Sequence, residues 1–252
     1  MHLAIDRQAC YRLYWRTLQP KLAPGLRDSQ QVYEEVLTAS ARGTQRWLDV
    51  GCGHRLLPPW RLDAERALVA RSGMVVGVDY DHLSLTKHET LSHRLRCDIG
   101  RLPFPDGTFD LVTANMVFEH LDKPEQQLRE IYRVLAPGGR LIFHTPNKFG
   151  YSTLLARLIP EAVKDKVVYF LQRRAEEDVF PAFYRTNSRS AIRRLARLVG
   201  LRVVDIRLIC SSAQLIVIPP LVVFELLWLR MLMSKPGKSL RPYLIAILEK
   251  PA

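Results

Sequence analysis

Short apolar runs alternate with helical patterning across residues 45–148. Trp47-Leu48-Asp49-Val50 and Met74-Val75-Val76-Gly77-Val78-Asp79 are too continuous to be half-exposed strands and too short for buried helices. Each reads as a strand buried on both faces. Between them, Leu62 to Arg71 follows a helical pattern and stops before Gly73. A strand, a helix and a second strand make a βαβ unit, which implies parallel strands and a right-handed crossover. The alternation continues with a third short strand within Leu91 to Ile99, a fourth over Leu111 to Ala114, a helix from Pro124 to Leu135 and a fifth strand over Arg140 to Asn147. Leu128, Ile131 and Leu135 share one face of that helix, and Pro137-Gly138-Gly139 closes it. The expected class is α/β, a doubly wound, mostly parallel sheet.

Outside this core the pattern is looser. Tyr11, Tyr14 and Trp15 stand three and four apart beside Arg12 and Arg16, which fits an amphipathic helix ended by Pro20, Pro24 and Gly25. Its aromatics either pack on the domain or form a lid. Ser29 to Ala41 predicts a helix, with Ser29 as cap and Gly43 beyond its end. Tyr151 to Ile159 and Lys164 to Arg173 look helical, and Glu176 to Asn187 reads as a loop. Ser188 or Ser190 opens a helix that Gly200 closes, Leu201 to Ile209 is a sixth strand and Tyr243 to Leu248 a last one. Leu215 to Met233 is strongly apolar, interrupted by Pro219-Pro220, Glu225 and Arg230. Thirteen residues after Pro220 make a helix of about 20 Å, short of a hydrocarbon core of about 30 Å. The segment is either internal or lies in a membrane surface.

The chemistry concentrates where strands end. After Asp49 come Gly51, Cys52 and Gly53, a tight turn that lets a ligand approach the backbone. A phosphate-binding turn wants bare N–H groups without negative charge nearby. Asp49 would repel a pyrophosphate and suits a ligand with a cationic group and hydroxyls, so S-adenosylmethionine fits better than a dinucleotide. Asp79 ends the second strand, where nucleoside-binding folds hold ribose hydroxyls, and Tyr80 follows to pack on the ribose or adenine. Asn115 lies at the carboxyl end of the fourth strand, on the ligand-binding edge of such sheets.

Asp49-x-Gly51-x-Gly53 resembles the first motif of class I S-adenosylmethionine-dependent methyltransferases, with Arg55 where a third glycine is common. The resemblance extends through Phe104-x-x-x-x-Phe109-Asp110, Glu119-His120-Leu121, Leu135-x-Pro137-Gly138-Gly139 and Thr145-Pro146-Asn147, in the order found in the small-molecule branch. It covers about residues 45–148. It implies a Rossmann-like seven-stranded sheet with an antiparallel last strand and helices on both faces. It also implies that Asp98 accepts from the adenine amino group and that Ile99 packs on the ring. The cofactor set is then Asp49, Gly51, Cys52, Gly53, Asp79, Tyr80, Asp98, Ile99 and Asn115. The expected activity is methyl transfer to a small or lipid-like acceptor.

No base announces itself. His120 and His144 lie on the correct edge, and Tyr184, with Arg185 beside it, falls in the region where related enzymes build the acceptor side of the pocket. The whole chain is expected to be one domain: an N-terminal helical region to residue 44, a cofactor core over 45–148, a helical insert over 149–187, and a C-terminal part from 188 that contains the apolar segment 215–233.

Composition narrows the partners. The net charge is +12, and residues 151–252 carry 17 basic against 8 acidic side chains, pointing to an anionic surface or substrate. Cys10, Cys52, Cys97 and Cys210 are scattered without a C-x-x-C pair, so neither zinc nor a disulfide framework is expected. His82, His88 and His93 match no ligand template and read as surface residues. Asp6 and Arg7 interrupt any signal-peptide pattern, so a cytoplasmic protein is expected, peripheral at a membrane if the 215–233 segment is interfacial. The competing readings are a non-catalytic cofactor-binding partner, an RNA or protein methyltransferase, and a dehydrogenase. Asp49 opposes the last, and nucleic acid has only the charge in its favour.

Overall fold

The computed structural model describes residues 6–159 and 181–252. The expected helix over Lys164 to Arg173 and the acidic start of the 176–187 loop lie outside the described residues. Seven strands form one sheet in the order β3-β2-β1-β4-β5-β7-β6. They are β1 (Arg46–Val50), β2 (Met74–Asp79), β3 (His93–Arg96), β4 (Phe109–Asn115), β5 (Leu135–Pro146), β6 (Arg202–Ile209) and β7 (Tyr243–Glu249). The first five are parallel and β7 is antiparallel. Order reverses between β1 and β4, and a doubly wound sheet opens a ligand crevice at such a switch point, outside the strands' carboxyl ends.

The central strands are buried because helices cover the sheet. β1 is buried from Trp47 onward, and β4 is buried at five of its seven positions. At the edge, β3 is exposed along its length, and its His93, Arg94 and Arg96 discourage further pairing. The helix Pro124–Val134 buries Gln127, Leu128, Ile131 and Val134, packing on β5 and on the helix Arg189–Val199. Ser188 caps the latter helix by accepting from the Ala191 N–H at 3.2 Å, and Gly200 ends it with φ 88° in the left-handed region.

Four sequence expectations change. β3 stops at Arg96 rather than reaching Ile99, because the chain turns at Asp98, whose carboxylate accepts from the Gly100 N–H at 2.8 Å. β5 begins at Leu135, so Pro137-Gly138-Gly139 lies inside a strand as a bulge opposite Asp110, not in a free turn. The N-terminal helix runs past Pro20 and ends only ahead of Pro24 and Gly25. It runs Arg7–Leu13, loosens into a π-helical turn over Tyr14–Leu18, and resumes as Gln19–Leu22. The proline sits at the start of that last stretch, directly after the π-helical turn. His88 is buried, not a surface residue; burial pushes its pKa down to about 4 and keeps the ring neutral.

By internal contacts the chain separates into two compact units. One comprises Gln30–Pro146, Ala182–Arg207 and Leu244–Ala252, which hold nearly all of the sheet. The other comprises the N-terminal residues to Ser29, Asn147–Pro181 and Leu208–Tyr243. The core of this second unit gathers Tyr14, Ala23, Leu26, Tyr151, Val222, Leu226, Leu229 and Leu232. Glu225 is buried within it. Its carboxylate accepts from the Tyr151 hydroxyl at 2.6 Å and from the Gln214 and Leu215 N–H groups, both at 2.8 Å. The acid that interrupts the apolar segment therefore pins the loop preceding its own helix.

Candidate cofactor site

The site starts at Asp49, which is 4% exposed near the end of β1 and paired in register with Gly77 and Thr113. Trp47 donates its indole N–H to the Thr113 hydroxyl at 2.6 Å, and Thr113 in turn donates to Asp49. The tryptophan can only donate, so the hydroxyl's own proton is directed to the carboxylate. That bond favours the charged acid, but burial opposes it, and Glu65 and Asp79 oppose it further. The pKa of Asp49 is pushed up to about 8. Tyr33 is buried beside Asp49 and Thr113. It stacks on His144 with centroids 5.6 Å apart, and burial together with Asp49 holds its hydroxyl well above the usual range.

A group whose folded pKa lies above its unfolded value favours the native state at low pH and loses that contribution as pH rises. For Asp49 the window runs from about 3.8 to about 8. Asp49→Asn keeps an acceptor for Thr113 and removes the titration. The melting temperature of the variant relative to wild type is therefore expected to rise from pH 5 to pH 8. A pH-independent difference in differential scanning fluorimetry would refute the shift.

The turn after β1 is fixed by backbone and carboxylate together. The Gly51 and Cys52 N–H groups donate to the Val78 carbonyl at 2.7 and 3.1 Å. Gly53 donates to one oxygen of Asp79 at 2.7 Å, and Asp81 donates to the other at 2.8 Å. Each oxygen keeps a lone pair for a further donor. Gly51 and Gly53 have φ of 67° and 51°. A Cβ on Gly53 would meet nothing within 4 Å, so the turn opens onto free space there. The Cys52 side chain is buried, and burial raises its thiol pKa. Below the turn, the fully buried Glu65 accepts from the Leu56 and Leu57 N–H groups at 3.1 and 2.8 Å and from the Thr90 hydroxyl. Arg55 points to Glu89 at 3.5 Å.

The remaining predicted residues line the same edge. Tyr80 is 68% exposed, with the Arg96 guanidinium 5.5 Å from its ring centroid. Cys97 donates its N–H to the Asp79 carbonyl at 3.1 Å, which brings Asp98 and the half-buried Ile99 beside the end of β2. Asn115 donates to the Gln30 side chain at 2.9 Å, so its own oxygen accepts from His144 Nδ1 at 2.9 Å. His144 is fully buried in the sheet.

A second polar cluster follows β4. Glu119 is buried and accepts from the Thr145 hydroxyl at 2.8 Å, and Asn187 donates to that hydroxyl at 2.6 Å. His120 stands 3.9 Å from the Glu119 carboxylate. The Glu119 carbonyl takes the N–H groups of Phe183 and Tyr184 at 2.8 and 3.1 Å. Met116 and Tyr184 have positive φ, 59° and 52°, and both border this edge. Such strain in non-glycine residues concentrates at functional sites. Tyr33, Glu65, Met116 and Asn187 carry no assigned role in the sequence reading, and Glu119 and Thr145 enter it only as members of family motifs.

The donor set fits a nucleoside carrying a cationic centre. Asp79 has acceptor capacity for two hydroxyls, Asp49 is a buried acid whose ionised form such a centre would stabilise, and open space lies over Gly53. Residues 48–143 match the family model described as a methyltransferase domain. These residues belong to the class I S-adenosylmethionine-dependent methyltransferases.

Relatives of the methyltransferase domain vary in what they are named for. A demethylmenaquinone methyltransferase of Thermus thermophilus is 47% identical over 73 residues, covering 26% of this chain and 33% of the relative. A malonyl-[acyl-carrier protein] O-methyltransferase of Erwinia billingiae is 34% identical over 111 residues, covering 42% and 41%. The chain spans less than half the length of these curated relatives. Among solved structures, a sarcosine dimethylglycine methyltransferase described as putative, from Galdieria sulphuraria, superposes with a TM-score of 0.56 at 14% identity, covering 98% of each chain. An S-adenosylmethionine-dependent methyltransferase from Mesorhizobium loti gives 0.54 at 15%, covering 88% of this chain and 97% of its own. At these identities the structures establish the fold of the methyltransferase domain. Among the described residues no group of side chains is placed to hold a metal.

Proposed function

We propose that the protein transfers a methyl group from S-adenosylmethionine to a small-molecule or lipid-like acceptor. The observation that carries this is the pair of acids at adjacent parallel strand ends, Asp49 and Asp79, joined through the Gly51–Gly53 turn. The bound cofactor supplies a methyl group activated by its sulfonium.

The protein's own residues hold and exclude. Asp79 accepts the ribose hydroxyls. Asp98 accepts the adenine amino group, with Ile99 and Tyr80 against the ring and ribose. Gly51, Cys52 and Gly53 give the methionine part close access to the backbone, beside the Asp49 carboxyl, and Asn115 bounds the edge at β4. Alignment of the acceptor supplies much of the rate, since proximity lowers a barrier by several kcal/mol. His120, Tyr184 and His144 are the candidates for orienting an acceptor or taking its proton. The relatives named for menaquinone and acyl-carrier-protein substrates support a small or lipid-like acceptor, and the basic charge of the chain supports peripheral contact with a membrane.

Calorimetry with S-adenosylhomocysteine and NAD, followed by labelled-methyl transfer into a lipid and metabolite extract, tests this. Micromolar binding of the first, none of the second, and label in a small extractable product are expected. Tighter binding of NAD, or cofactor binding without any transfer, would overturn it.

A further inference from the structure

The helix Pro219–Met233 is apolar on two sides. Val222, Leu226, Leu229 and Leu232 face the core of their unit, as expected of a packed helix. On the other side Leu221, Phe224, Leu227, Trp228 and Met231 are exposed, Phe224 at 70%. They recur at intervals of three and four, so they form one stripe. Trp228 meets Tyr151 edge-on, with centroids 6.5 Å apart. Tyr151 opens the helix Tyr151–Leu158, on which Leu154, Leu155 and Leu158 are exposed as well, Leu158 at 78%. Two short helices of one unit thus present large apolar side chains outward from a shared aromatic contact.

The charge of that unit is one-sided. Its described residues carry eleven lysines and arginines against three acids, Asp6, Asp28 and Glu225. Glu225 is buried and Asp28 accepts from the Ser211 and Ser212 hydroxyls. Arg230, Lys235 and Lys238 are exposed at the C-terminal end of the apolar stripe, and Arg157 is exposed on the second helix. Such a surface matches an anionic bilayer: apolar side chains enter the acyl boundary and cations meet the headgroups. Fifteen residues make a helix of about 22 Å, and no described helix is long and apolar enough to cross a membrane.

We infer that this face docks the protein onto an anionic lipid surface, with the helix Pro219–Met233 lying in the interface plane. The inference deepens the proposed lipid-like acceptor by naming the surface that brings the protein to it, and its test is independent of methyl transfer. The full chain is sedimented with phosphatidylcholine vesicles and with vesicles containing a third phosphatidylglycerol. Most of the protein is expected in the anionic pellet and little in the neutral one. Raising salt from 0.1 to 1 M shortens the screening length from about 10 to about 3 Å, so it should weaken the charge contribution and leave part of the binding.

F224S/W228S/M231S is expected to lower vesicle partitioning at least tenfold while S-adenosylhomocysteine affinity and circular dichroism stay as in wild type. R230S/K235S/K238S, which leaves the stripe intact, should abolish the preference for anionic vesicles. Protein that remains in the supernatant at every composition would overturn the inference. So would a wild-type dimer, by light scattering, that the triple apolar variant converts to monomer without any change in vesicle binding. Failure of methyl transfer with intact vesicle binding would count against the proposed activity alone.

Discussion

Gly51→Val is expected to abolish S-adenosylhomocysteine binding and to lower the melting temperature. Two independent obstacles act at this position. The backbone has φ 67°, where a β-branched residue is strongly disfavoured. A Cβ there would also lie 2.4 Å from Val117 Cγ2, well inside contact distance. Relief of either obstacle moves the Gly51 N–H away from the Val78 carbonyl, now 2.7 Å distant, and the turn leaves the end of β2. The left-handed conformation alone costs about 1–2 kcal/mol for an L-residue. The sequence alone suggests a loss of binding at little cost in stability; the Val117 contact adds a stability loss. Affinity should fall by at least about a hundredfold, some 2.7 kcal/mol. Adding Val117→Ala should recover part of the melting temperature and none of the binding, because it removes the contact and leaves φ unchanged. Wild-type affinity in the valine variant would show that this turn is not the cofactor loop.

Asp79→Ala should weaken the same ligand by about 1.5–3 kcal/mol, a factor of roughly 10 to 150. The carboxylate holds the Gly53 N–H at 2.7 Å and the Asp81 N–H at 2.8 Å while offering its remaining lone pairs to a ligand. Its removal therefore loosens the glycine turn as well as deleting the charged acceptor. Asp79→Asn is expected to rescue little. One amide position would present a donor to a backbone donor, so either Gly53 or Asp81 loses its partner. Calorimetry on variants shown to be folded by circular dichroism measures both. Unchanged affinity in the folded alanine variant would remove Asp79 from the site.

Parallel strands explain why much of the sheet's carboxyl edge was legible. Such strands are buried on both faces, so each appears as a largely apolar run that an acid or amide closes. Asp49, Asp79 and Asn115 announce themselves in this way, and the glycines after Asp49 announce the turn. Capping is equally local, which is why Ser188 and Gly200 bound their helix as expected. The bulge at Pro137-Gly138-Gly139 was missed for the complementary reason. Those residues look like a chain break, yet Gly138 and Gly139 are hydrogen-bonded to Lys250, over a hundred residues away, and flanked by pairs with β4.

The order of strands and helices, the acids at the strand ends and the glycine turn can all be read from the chain alone, because each is written in contiguous residues and short-range periodicity. Tertiary structure alone decided which polar side chains are buried and what they hold. Glu65 looks like one more charge on an amphipathic helix, yet it supports the Leu56–Leu57 backbone. Glu225 looks like an interruption of an apolar segment, yet it accepts a hydrogen bond from Tyr151, 74 positions away. Glu119, Thr145 and Asn187 meet across separations of 26 and 42 residues. Burial of a charged or polar group is tolerated only where partners converge on it, and that convergence depends on how distant segments pack, which no local pattern encodes.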